Sequence, residues 1–220
     1  MKVEIKGTIV PNDYKDIYDW LGWTATCPRD ILDAIAKANG EPIDVEINSG
    51  GGDVDSASEI YAALKSYPST RIHIVGVCAS AASMIAMAGW SEMVSTGRMM
   101  VHRASTYAEG NYHTMDRTSE ALRKADRAIA SAYVAKSGMS EQEVLDMMDK
   151  VTWLTAQEAV EKKLVDRVMF AENTTAEPLA ASASGLLPRE VVNKIRTLLL
   201  DNKQTEKLQA ELNLLKEKVI

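Results

Sequence analysis

The stretch Ala79-Ser80-Ala81-Ala82-Ser83-Met84 separates two apolar runs, Ile72-His73-Ile74-Val75-Gly76-Val77 before it and Ile85-Ala86-Met87-Ala88 after it. This pattern predicts a strand, a small-residue turn with serine and then a helix. It presents a hydroxyl at a helix N-terminus, where unpaired N–H groups and the helix dipole favour developing negative charge. That setting makes Ser83 a candidate nucleophile. The competing reading makes Ser80 and Ser83 helix caps or small packing residues.

Two other segments bear on the choice. Upstream, Ile43, Val45 and Ile47 alternate as in a strand with one buried face. The strand runs into Gly50-Gly51-Gly52 and then a helical stretch from Ser56 to Leu64. Glycines let backbone N–H groups approach a substrate where a Cβ would collide. A phosphate cradle would need Lys-[Ser/Thr] after the glycines, or a spaced glycine motif. Asp53 follows instead, which favours a carbonyl oxygen as guest and an oxyanion hole as the loop's task. Downstream, His102 ends the short apolar strand Arg98-Met99-Met100-Val101. A serine nucleophile needs a partner that titrates near neutrality, and histidine is that side chain. A lone histidine there is otherwise a satisfied strand-end residue. His73 reads as structural, and His113 as surface or interface.

Taken in order, Ile47-Asn48-Ser49 with the glycines, the Ser83 stretch and Met99-Met100-Val101-His102-Arg103 resemble the Clp-protease type of serine peptidase. The subgroup resembled most is the phage and prophage head-maturation proteases. Tyr133 to Gly138, Thr152 to Val160 and Leu164-Val165-Asp166 agree, so the resemblance runs from about Ile5 to Val168. It implies Ser83 as nucleophile and His102 as general base. It also implies Gly52 and Met84 as oxyanion-hole donors, with Gly51 shaping the loop. No metal or cofactor is implied. Two positions depart from the family pattern. Gly50 stands where members usually have proline, and Val151 stands at the position of the third, acidic triad member. Asp149, or Asp146, just upstream could substitute; the alternatives are a Ser–His dyad or an impaired enzyme.

The implied fold is α/β, a Clp-protease/crotonase-like repeated β-β-α spiral with an extended handle. Strands alternating with helices imply a mostly parallel sheet by themselves. The expected elements are strands at 3–10, 43–47, 71–77 and 98–102, and helices at about 31–39 and 55–66, with the 31–39 helix ended by Gly40. The polar segment Ala104 to Asn111 is the expected handle. A long charged helix follows from Thr114 to Lys136, and Ser140-Glu141-Gln142-Glu143 reads as a capping box opening another. Residues 1–170 form the expected protease domain and 171–187, rich in Ala, Ser, Thr and Glu, a linker or self-cleavage site. Residues 188–220 form a helical tail, with a coiled-coil seam at Leu208, Leu212, Leu215 and Val219.

The 25 basic and 31 acidic residues give a net charge of −6, which argues against nucleic-acid binding by bulk charge. Cys27 and Cys78 are too few for a disulfide scaffold and fit a cytoplasmic protein. No apolar run reaches the roughly 18–20 residues that span a bilayer. The resemblance implies a serine endopeptidase acting on polypeptides, phage capsid or scaffold proteins among them, in the host cytoplasm or the assembling prohead. The resemblance implies a homo-oligomeric ring. Three other readings stay open: a general Clp-type chamber served by a partner ATPase, a crotonase-fold enzyme acting on acyl-coenzyme A, and a non-catalytic scaffold.

Overall fold

The computed structural model describes residues 1–170. The expected linker at 171–187 and the coiled-coil tail at 188–220 lie outside the described residues.

Alternation of large aliphatic and polar residues builds the sheet. In β3 (Ile43–Gly52), Ile43, Val45 and Ile47 are fully buried while Asp44 and Glu46 lie on the other face. In β4 (Thr70–Ala79), Ile72, Ile74 and Cys78 do the same. Each such side chain stabilises the fold by about 1.5–3 kcal/mol relative to exposure. With β1 (Lys2–Ile9), β2 (Ala25–Thr26), β5 (Trp90–Val94) and β8 (Arg167–Met169), they form the sheet order β2-β1-β3-β4-β5-β8. Every pairing on that path is parallel.

The sheet forks at β4. Arg71 to Ile74 pair with β5, whereas Val77 to Ala79 pair with β6 (Arg98–Val101). β6 then pairs antiparallel with β7 (Thr152–Thr155). This fork delivers the end of β4 and the end of β6 to the same place. Both the Ser80 turn and His102 therefore emerge side by side.

The helices begin and end where local chemistry dictates. α1 spans Lys15–Trp20, within the polar-aromatic region after β1. α2 (Pro28–Ala38) opens with Pro at its first position and a capping box between Cys27 and Asp30. It ends at Ala38, and Asn39, at φ 47, takes the left-handed cap one residue ahead of Gly40. α3 (Val54–Ser66) is capped by Asp53, whose carboxylate accepts from the Ser56 N–H at 2.8 Å. α4 (Ala81–Ile85) is a single buried turn continued by a 3-10 turn at Ala86–Ala88. α5 (Tyr112–Ser137) is the expected long charged helix, starting two residues earlier and capped by Asn111. The Ser140 capping box opens α6 (Glu141–Asp149), and Thr155 caps α7 (Ala156–Glu161) in the same way.

The core is continuous from β1 to α7 and takes in Ile129, Ala130 and Tyr133 of α5. Residues 104–111, the expected handle, contain no strand or helix.

Candidate active site

The backbone at the β4–α4 junction turns sharply at Ser80. Its φ of 56 and ψ of −129 lie where few residues other than glycine go. Holding a non-glycine residue there costs about 1–3 kcal/mol. The turn is retained because its surroundings grip it. The Ser80 N–H donates to the Met100 carbonyl at 2.9 Å, and the Ser83 N–H donates to the Ser80 carbonyl at 2.9 Å. The strain aims the Ser80 side chain out of the sheet toward His102. Ser80 Oγ and His102 Nε2 lie 2.7 Å apart.

Ser83 does not meet His102. It sits one helical turn further on, fully buried, and its Oγ contacts the Ser80 carbonyl at 2.6 Å, the Met100 carbonyl at 2.9 Å and the Tyr133 hydroxyl at 2.7 Å. The expected Ser83–His102 pair is thus replaced by Ser80–His102. The physical reason is position along the chain. The residue directly after the last strand residue occupies the turn, whereas the one three later points inward, as serine in a helix bonds back to the i−3 carbonyl. The expected strand stops at 77; β4 runs on to Ala79, which puts Ser80 in the turn and Ser83 in α4.

The expected oxyanion donors, Gly52 and Met84, differ in what their N–H groups face. The Met84 N–H is directed at the Ser80 carbonyl at 3.4 Å, within α4. Ala81 follows Ser80 and opens α4, in the first turn, where a helix supplies no acceptor for its amides. Gly52 lines a small cavity with Ser80, Ala81, Met84, His102 and Tyr133. Asp53 N–H donates to the Ile9 carbonyl on β1, so strand alternation turns the Gly52 N–H away from β1, to the side of β4 and Ser80. The Gly51 N–H is occupied by Ser49 Oγ at 3.1 Å. Gly51, at φ 97, passes so close to the turn that a Cβ on it would stand 2.7 Å from Ser80 Cβ and 2.9 Å from the Ala81 nitrogen.

Asp149 is not brought to His102 either. Arg103 holds both its oxygens, Nε to Oδ1 and Nη2 to Oδ2, each at 2.7 Å. This bidentate bond keeps the Asp149 carboxyl below its ordinary range and raises the Arg103 guanidinium. Asp146 accepts from the Gln142 amide at 2.6 Å. Among the described residues, no carboxylate is hydrogen-bonded to His102. Asp126 of α5, not among the expected site residues, is a buried acid on the long charged helix. It accepts from the Ala104 N–H at 2.8 Å and from Arg103 Nη1 at 3.3 Å. The register Val101↔Thr152 ends one step short of His102 and Val151, and Val151 carries no acid.

A parallel α/β sheet that carries a serine hydroxyl against an imidazole on a strained strand-to-helix turn is the framework of a serine hydrolase. The Clp protease family profile matches residues 27–172, and the chain belongs to that family. It is a serine endopeptidase. It is similar to the ATP-dependent Clp protease proteolytic subunit 1 of Chlamydia abortus, 29% identical over 140 residues that cover 61% of this chain and 73% of the relative. The protein of the same name from Chlamydia trachomatis serovar D is 30% identical over 141 residues, with the same shares of the two chains. Among the described residues, no helix is long and apolar enough to cross a membrane.

Proposed function

We propose that Ser80 is the nucleophile and His102 the general base of peptide-bond hydrolysis. The observation that carries this reading is the 2.7 Å contact between Ser80 Oγ and His102 Nε2 at a turn with φ 56. As Ser80 Oγ bonds to the substrate carbonyl carbon, His102 takes its proton. The carbonyl oxygen becomes an oxyanion and is met by the Ala81 and Gly52 N–H groups. The imidazolium then gives its proton to the departing amine as the C–N bond breaks. Water repeats the cycle on the acyl-enzyme: His102 takes a proton from it, the acid product leaves and Ser80 recovers its hydroxyl. Loss of one oxyanion donor in such a site costs about 100–1000-fold.

The reaction runs as a Ser–His dyad. Val151 cannot stabilise an imidazolium, and the Asp149 charge is spent on Arg103. Labelling with a serine-directed fluorophosphonate tests the assignment. Ser80→Ala should abolish labelling. Labelling retained in Ser80→Ala and lost in Ser83→Ala would return the role to Ser83.

Polypeptides are the substrates, and a homo-oligomeric ring is the working form, as the family membership supports. The finer reading, processing of phage capsid or scaffold proteins, rests on the sequence resemblance of the three motif segments. Co-expression with a capsid precursor should give a shortened product that is absent with Ser80→Ala. A product seen only when an unfolding ATPase is added would favour the Clp-type chamber instead.

A further inference from the structure

Ser83 and Tyr133 are left over once Ser80 is taken as the nucleophile. Both are buried, at 0% and 1% exposure, and they come from different elements, α4 and α5. The Tyr133 hydroxyl contacts Ser83 Oγ at 2.7 Å. Ser83 Oγ in turn touches two carbonyls, those of Ser80 and Met100. Neither carbonyl needs it for satisfaction. The Ser80 carbonyl already accepts the Ser83 N–H, and the Met100 carbonyl accepts the Ser80 N–H. A hydroxyl beside two satisfied carbonyls, with one proton to donate, serves to hold one of them.

The hydrogen count gives the chain a direction. Two hydroxyls carry two protons, and Ser83 Oγ is the partner of Tyr133. With the Tyr133 proton donated to Ser83 Oγ, the Ser83 proton goes to the nearer carbonyl, that of Ser80. Burial pushes the Tyr133 hydroxyl up and so keeps its proton on the ring oxygen. The two carbonyls at the far end belong to the turn that carries the nucleophile and to the strand that ends at the base.

We propose that Ser83 and Tyr133 are positioning residues: a buried hydroxyl chain from α5 that fixes the Ser80 carbonyl against β6 and so sets the Ser80–His102 geometry. The proposal rests on the reading of Ser80 and His102 as the reacting pair. Misplacement of a catalytic group by a fraction of an ångström is costly because proximity and orientation carry much of the rate.

Ser83→Ala, Tyr133→Phe and the double variant test it in the full-length protein. The readouts are kcat and KM on a peptide, the rate of fluorophosphonate labelling and urea unfolding. Tyr133→Phe keeps the packing of the ring and removes only the hydroxyl, so it stays informative if Ser83→Ala folds poorly. Each single variant should lose about tenfold or more in kcat and labelling rate, with KM within about twofold. The double variant should be no worse than the more damaged single, as members of one unit are non-additive. Unchanged kcat in folded Tyr133→Phe would overturn the proposal. So would multiplicative losses in the double variant, or losses that vanish once activity is corrected for the folded fraction. Ser80→Ala, run alongside, separates the two readings: labelling that survives it sinks the dyad itself, whatever the other variants do.

Discussion

His102 and Val151 occupy matching positions one step past the end of the β6–β7 ladder, whose last pair is Val101 and Thr152. Directly opposed residues in an antiparallel pair have Cβ atoms about 4.5–5.5 Å apart. A carboxylate at 151 would thus come within reach of the imidazole. Valine there is also poorly suited to its backbone, which has φ 49, and the side chain is 51% exposed.

Val151→Asp should therefore do two things. It should raise kcat by at least about tenfold, because an anion beside the imidazolium stabilises the transition state. It should also stabilise the fold by about 1 kcal/mol, as Asp and Asn tolerate the left-handed region better than a β-branched residue. Val151→Asn separates these effects, since it should reproduce the gain in stability without the gain in rate. Equal rates for the Asp and Asn variants would mean that an acid at this position is not limiting.

Asp149→Asn should be mild. The carboxylate is paired with Arg103 and is largely exposed, where solvent and salt screen the pair. Hydrolysis should stay within about fivefold of wild type. A loss of orders of magnitude would show that Asp149 reaches His102 during turnover.

The framework was legible because it is written in short-range patterns. Ile43, Val45 and Ile47 alternate, Ser140 and Glu143 form a capping box, and Asp53 after three glycines marks both a loop and a helix start. His102 was legible as the residue ending an apolar strand. Which serine meets His102 was not legible, because Ser80 and Ser83 share the same small-residue stretch and only the end of β4 at Ala79 distinguishes them. Asp126 was illegible for a different reason. Among eight charged residues on one helix, nothing local singles out the one that α5 turns inward to the Ala104 N–H. The β4 fork, which brings β6 beside the nucleophile, depends on pairing across the sheet and has no signature in either strand.

Glu92 should make stability depend on pH. Burial pushes its carboxyl up, but hydrogen bonds from Arg167 and His73 outweigh that and hold it below its ordinary range. A depressed acid contributes stability above its unfolded value, about 4.3 for Glu, and loses it as pH falls through the lower folded value. Glu92→Gln should cost about 1.5–3 kcal/mol near neutrality, measured by urea unfolding. The gap between the two proteins should narrow in acid. A gap that stays constant from neutral to strongly acidic pH would mean that the carboxylate charge contributes nothing.

Gly51 and Gly50 give the last contrast, because they are neighbours with opposite surroundings. A Cβ on Gly50 meets nothing within 4 Å, whereas one on Gly51 meets Ser80 Cβ at 2.7 Å, the Ala79 carbonyl oxygen at 2.8 Å and the Ala81 nitrogen at 2.9 Å. The Gly51 φ of 97 adds strain for any side chain. Gly50→Ala should leave activity unchanged and, by restricting the unfolded chain, stabilise by about 0.4–1 kcal/mol. Gly51→Ala must push the Ser80 turn aside, and the amide of Ala81 with it. It should cost at least about 100-fold in kcat, the scale of losing an oxyanion donor. Circular dichroism and peptide hydrolysis on the two variants decide the matter. Full activity in a folded Gly51→Ala protein would show that the glycine loop does not constrain the nucleophile, and that the close approach at Ser80 is incidental to catalysis.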